Sequence, residues 1–147
     1  MSRGEVLYRG SLKSCNYHCS YCPFSKHRIS SRELEKDQAQ WQDFVRILEK
    51  RAKALGIRAL MVTPYGEALI HPWYFDGFAR ISRMDEIDAV GAQTNLSFPV
   101  KEAVAAFWEK GGVFEKLRIW ATFHPEMTEV SQFADSCRQL KEAGISF

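Results

Sequence analysis

Apolar and polar residues alternate between two periods along this chain. Mostly apolar runs occur at Glu5 to Leu12, Ile57 to Thr63, Ile87 to Thr94 and Leu117 to Phe123. Each has strand length and is followed by apolar residues at helical spacing. The first helical stripe is Leu34, Trp41, Phe44, Val45, Leu48, Ala52 and Leu55. Ser30-Ser31-Arg32-Glu33 in front of it reads as a capping box, and Gly56 stops it. The second stripe is Phe75, Phe78 and Ile81 behind Pro72, which suits a first helical turn. Val100, Ala103, Val104, Phe107 and Trp108 form the third, closed by Gly111-Gly112. Val130, Phe133, Ala134, Cys137 and Leu140 form the fourth, closed by Gly144. Ile145-Ser146-Phe147 reads as the start of a fifth strand.

Strand and helix thus alternate four times, which predicts an α/β fold of βαβ units around a parallel sheet. A closed eight-unit barrel needs roughly 250 residues. The expectation for 147 residues is a partial parallel (β/α) barrel, about four βα units plus the start of a fifth strand. Trp41, Trp108 and Cys137 read as core residues. The far edge of the fourth strand lacks a full partner, so self-association or a completing partner chain is expected.

Composition changes this picture little. Hydrophobic residues make up 46% and charged residues 26%, with a net charge of +2, an ordinary globular balance. No apolar run approaches the length of a membrane helix. The polar start Met-Ser-Arg-Gly-Glu is no signal peptide, so a cytoplasmic location is expected. Charge distribution says more. Residues 1–32 carry Arg3, Arg9, Lys13, Lys26, Arg28 and Arg32 against Glu5 alone, a net of +5, which leaves −3 for the remainder. A basic segment of this kind suits an acidic electron donor such as a flavodoxin or ferredoxin. It equally offsets the charge of thiolates and of an anionic ligand.

The basic segment surrounds Cys15, Cys19 and Cys22, spaced C-x3-C-x2-C directly after the first strand. Three thiolates on one tight loop can hold three irons of a [4Fe–4S] cluster, which four cysteines normally close. Cys137 is far down the chain, so the fourth iron would keep an open position. Zinc held by the three cysteines with His18 or His27 is the main alternative, although zinc ligands usually come as two separated pairs. Disulfides are a further one, with poor geometry for three cysteines so close together.

The motif C-x3-C-x-aromatic-C, with Tyr21 in the aromatic slot, resembles the signature of radical S-adenosylmethionine (SAM) enzymes. The stretch from Leu7-Tyr8-Arg9-Gly10 to Tyr21-Cys22-Pro23-Phe24-Ser25-Lys26 is similar to a bacterial group of these proteins with no named substrate. The resemblance implies a [4Fe–4S] cluster on Cys15, Cys19 and Cys22, with SAM chelating the open iron. It implies reductive cleavage to a 5′-deoxyadenosyl radical that abstracts hydrogen from an unknown substrate. It also implies a six-unit partial barrel, of which residues 1–147 make an incomplete core domain. Tyr65-Gly66-Glu67 resembles the family's G-G-E motif at the amino group of SAM, with Tyr65 replacing the first glycine. Asn95, in Thr94-Asn95, matches a pair near the SAM site in related proteins and reads equally as a turn residue. His124 reads equally as a ligand of SAM or substrate and as a locally bonded turn histidine. The alternative to an enzyme is a non-catalytic iron–sulfur or zinc-binding module that needs a partner chain.

Overall fold

Four parallel strands form one sheet in the order β1-β2-β3-β4. The computed structural model describes residues 4–147; Arg3 of the basic segment lies outside them. The strands are β1 (Glu5–Tyr8), β2 (Ala59–Val62), β3 (Ala89–Thr94) and β4 (Leu117–Ala121). They alternate with helices α1 (Ser31–Leu55), α2 (Pro72–Ser82), α3 (Val100–Glu109) and α4 (Val130–Glu142). Strand order follows chain order with no reversal, so successive right-handed crossovers stack their helices on one side. That is the arrangement of a barrel wall rather than of a doubly wound sheet. Among the described residues no helix is long and apolar enough to cross a membrane.

Alternation along the strands separates two faces. Leu60, Val62, Val90, Ala92, Leu117 and Ile119 are buried on one face. They join Trp41, Val45 and Leu48 of α1 and Phe75, Phe78 and Ile81 of α2 in one core. Full burial of each large apolar side chain stabilises by roughly 1.5–3 kcal/mol relative to exposure. The other face is open: Leu7 is 51% and Trp120 62% exposed.

The capping box forms as expected. Ser30 caps α1 and its side chain accepts from Glu33 N, while Glu33 returns to the Ser30 backbone. Gly56 closes the helix in the left-handed region, φ 67°, where a Cβ is costly. The fifth strand begins as a single parallel bridge between Arg118 and Ser146, with Ile119 N donating to Ser146 O at 2.9 Å.

Three expectations need correction. The first strand ends at Tyr8 rather than Leu12, because Gly10 takes φ 62° and turns the chain away from the ladder. Trp108 is not core: it is 67% exposed and stacks on Phe114 at 5.9 Å. Val130 is 68% exposed as well, and of the expected α4 stripe only Leu140 is buried. Cys137 is half-buried and packs against the core.

Candidate functional site

The C-terminal ends of the strands, where parallel α/β folds place their chemistry, converge on the cysteine loop. Cys19 is 3% exposed, and Cys15 and Cys22 are half-buried. All four cysteines are free thiols, so the disulfide alternative is not realised. Cys22 N donates to Cys19 O at 3.2 Å. Ser25 Oγ lies 3.0 Å from Cys19 O and 2.9 Å from Cys22 O and donates its single proton between them. These bonds coil the loop beside the cavity that its three cysteines line.

The second strand supplies the floor. Glu67 N donates to Ser14 O at 2.9 Å. A Cβ at Gly66 would overlap the Ser14 carbonyl, so glycine is required there for close backbone approach. Glu67 is 1% exposed. Its Oε1 accepts from Leu69 N at 2.9 Å and Thr94 Oγ1 at 2.8 Å. Its Oε2 accepts from Asn95 N at 2.6 Å. Burial pushes the carboxyl up from its ordinary value, against the pull of those three donors. Glu67 therefore ties the exits of β2 and β3 together.

At the third exit Asn95 Nδ2 lies 3.5 Å from Cys15 Sγ and 3.2 Å from Asn16 Oδ1. Leu96 follows at φ 60°, a strained conformation for a branched side chain that turns the chain directly after Asn95. The Cys15 thiol is held above its ordinary value, first by burial, with the Tyr17 N–H opposing.

The fourth exit grips the loop from the other side. The Glu126 carboxylate accepts from Ser20 N at 2.7 Å and from Ser20 Oγ at 2.6 Å. His124 Nδ1 stands 2.8 Å from the Tyr21 hydroxyl. The His124 ring stacks on Tyr21 at 6.1 Å and meets Tyr17 edge-on at 6.0 Å. The Tyr21 hydroxyl is pushed up to about 12, chiefly by the neighbouring Cys19 thiol.

Together Cys15, Cys19, Cys22, Gly66, Glu67, Asn95 and His124 line a cavity of about 170 Å³. Tyr21 and Tyr65 do not line it. Tyr21 is 57% exposed. Tyr65 turns toward Phe24, 4.8 Å away, under the Arg9 guanidinium at 5.0 Å. Three residues outside the expected set prove structural here: Ser20, Ser25 and Asn16. Glu126, two residues after His124, belongs with them. Asp37 gave no signal, yet it is fully buried and accepts from Tyr74 Oη at 2.8 Å.

The donor set can be weighed against metals. Among the described residues no group of three or more His, Cys, Asp and Glu converges as one metal ion requires. A single zinc needs four ligands about 2.0–2.3 Å from one point. His27 is instead bonded to Glu33 at 3.2 Å. In a cluster each cysteine binds a different iron, so its thiolates stand apart around a shared volume. Cys15, Cys19 and Cys22 all line the one cavity. Comparison with known proteins found no matching family model, curated protein or solved structure.

Proposed function

We propose that this chain is a radical SAM enzyme or the N-terminal part of one. Cys15, Cys19 and Cys22 would hold a [4Fe–4S] cluster, with SAM at the iron that no cysteine binds. The observation that carries the proposal is the convergence of three thiols from one loop with Glu67, Asn95 and His124 at the strand exits. Bound there, the cluster would supply an electron for reductive cleavage of a sulfonium.

The chain's own residues prepare that chemistry. Cys19 is shielded from water by its burial. Asn95 directs an N–H at Cys15 sulfur, which stabilises negative charge there. Backbone at Gly66 and the rim of Glu67 give a polar wall suited to an ammonium group. The open sheet face leaves room for a substrate beside the cavity. The basic residues flanking the loop suit an acidic electron donor.

Anaerobic reconstitution with iron and sulfide tests the proposal. The wild type should bind about four irons, and Cys15→Ala, Cys19→Ala and Cys22→Ala should each lose the cluster spectrum. Cys137→Ala should match the wild type. SAM should then perturb the EPR signal of the reduced cluster. A full cluster in Cys19→Ala, or a chain that retains only zinc, would defeat it.

A further inference from the structure

The open face of the sheet carries an ordered pattern of side chains. Leu7, Met61, Gly91 and Arg118 are in register across the four strands. One step nearer the cysteines, Gln93 pairs with Trp120. Thr63 and Arg9 extend the same level beyond the Tyr8–Val62 pair, and Thr63 N donates to Tyr8 O at 2.8 Å. These residues border a groove of about 430 Å³. Gln93 lines both this groove and the cysteine cavity.

Two features of the upper level ask for a ligand. Thr63 is 7% exposed, and its Oγ1 is buried in the groove wall without a hydrogen-bond partner, a state that native structures rarely tolerate. Arg9 has no carboxylate partner among the described residues. Its guanidinium lies over the Tyr65 ring, a contact that leaves the N–H edge free for an acceptor in its plane. Below, Leu7 and Trp120 are exposed and Met61 half-buried, an apolar bed. Arg118 Nη1 is occupied by the Glu115 and Leu117 carbonyls at 2.6 and 2.9 Å. Glu5 lines the far end of the groove.

We propose that this groove takes an organic carboxylate. Its apolar body lies on Leu7, Met61 and Trp120, and its carboxylate is read by Arg9 and Gln93, with Thr63 Oγ1 joining once its side chain rotates toward the groove. A guanidinium fork matches the two carboxylate oxygens. Arg118 adds a second guanidinium to the groove wall, its Nη1 held by neutral carbonyls, so the groove favours an anionic head. That this ligand is the substrate rests on the radical SAM proposal; its binding does not.

The test is an NMR titration of the iron-free full chain with indole-3-acetate and, separately, its neutral amide, indole-3-acetamide. The acetate should bind about tenfold tighter, the value of one charge-assisted hydrogen-bonded pair at a partly exposed site, and shift the Trp120 indole N–H. Arg9→Gln should abolish that preference and leave shifts outside the groove unchanged. Trp120→Ala should weaken both probes alike. Equal binding of the two probes, no binding of either, a preference surviving Arg9→Gln, or shifts centred away from β1, β2 and β4 would each overturn the proposal. Iron uptake, measured on the same preparations, fails or succeeds independently of this titration.

Discussion

Ser20 gives both its backbone N–H and its hydroxyl to the carboxylate of Glu126, at 2.7 and 2.6 Å. The cysteine loop is thereby fastened to the exit of β4 as well as to those of β2 and β3. Ser20 sits next to Cys19, so this bond limits how far the middle of the motif can move. The Glu126 carboxyl is held below its ordinary value, chiefly by the Ser20 hydroxyl. Glu126→Ala should leave global unfolding nearly unchanged, because the pair is exposed. It should speed iron loss from the reconstituted chain several-fold, with Glu126→Gln in between. Chelator-challenge kinetics read this directly; an unchanged loss rate in Glu126→Ala would remove the fastening role.

Gly66 and Gly56 make a matched pair of alanine tests. At Gly66 the added methyl meets Ser14 backbone, which cannot rotate away. Overpacking of this kind costs about 1–3 kcal/mol, and relief requires the cysteine loop to shift. At Gly56 the methyl meets nothing within 4 Å, and the cost is the left-handed φ alone, about 1–2 kcal/mol. Both variants should lower the denaturation midpoint, but only Gly66→Ala should lower iron content. Equal iron content in the two would sever the β2 exit from the cysteine site.

Hydrogen bonds to ligand sulfurs stabilise the more negative state of a cluster and raise its reduction potential. Asn95 Nδ2 approaches Cys15 sulfur at 3.5 Å. Asn95→Ala should retain the cluster and lower its potential, by up to about 60 mV, a tenfold change in a one-electron equilibrium. An EPR-monitored redox titration measures the shift. A potential that rises in Asn95→Ala contradicts the donor assignment.

Glu67 sets a pH dependence whose sign follows from its burial. The folded carboxyl titrates above its ordinary range, so the folded chain keeps a proton that the unfolded chain has lost. That difference opens near about pH 4.3 and persists up to the raised value. Across this window the folded state binds more protons, and stability falls as pH rises. Glu67→Gln cannot titrate. The stability of wild type relative to Glu67→Gln should therefore decrease through the window and be flat on either side. Urea denaturation of the iron-free chain at several pH values gives this difference. A difference that increases with pH would mean that the Leu69, Thr94 and Asn95 donors outweigh burial.

Alternation of strand and helix was legible because each element carries its own period, and because Ser30, Glu33 and Gly56 mark the ends of α1 locally. The cysteines were legible for the same reason: their spacing is a property of one short segment. Strand ends were overextended where apolar residues such as Leu12 continue past a turn that one glycine imposes. Trp108 misled because helical spacing fixes a stripe but not which neighbour covers it. The bond from Ser20 to Glu126 crosses a sequence separation of 106 and leaves no trace in either segment. Asp37 reads as one more solvated charge on a helix until the Tyr74 hydroxyl is brought to it across a separation of 37.

The contact between Gly66 and the Ser14 carbonyl also bears on how such a chain can be recombined. The cysteine motif is not a portable cassette, because its floor is backbone contributed by the next βα unit. A crossover anywhere within α1 would separate loop from floor and join the cysteines to a β2 exit not shaped for them. Chimeras that keep residues 13–67 together should keep the loop seated on its floor. Those divided inside that span would need a glycine at the corresponding place in the incoming half.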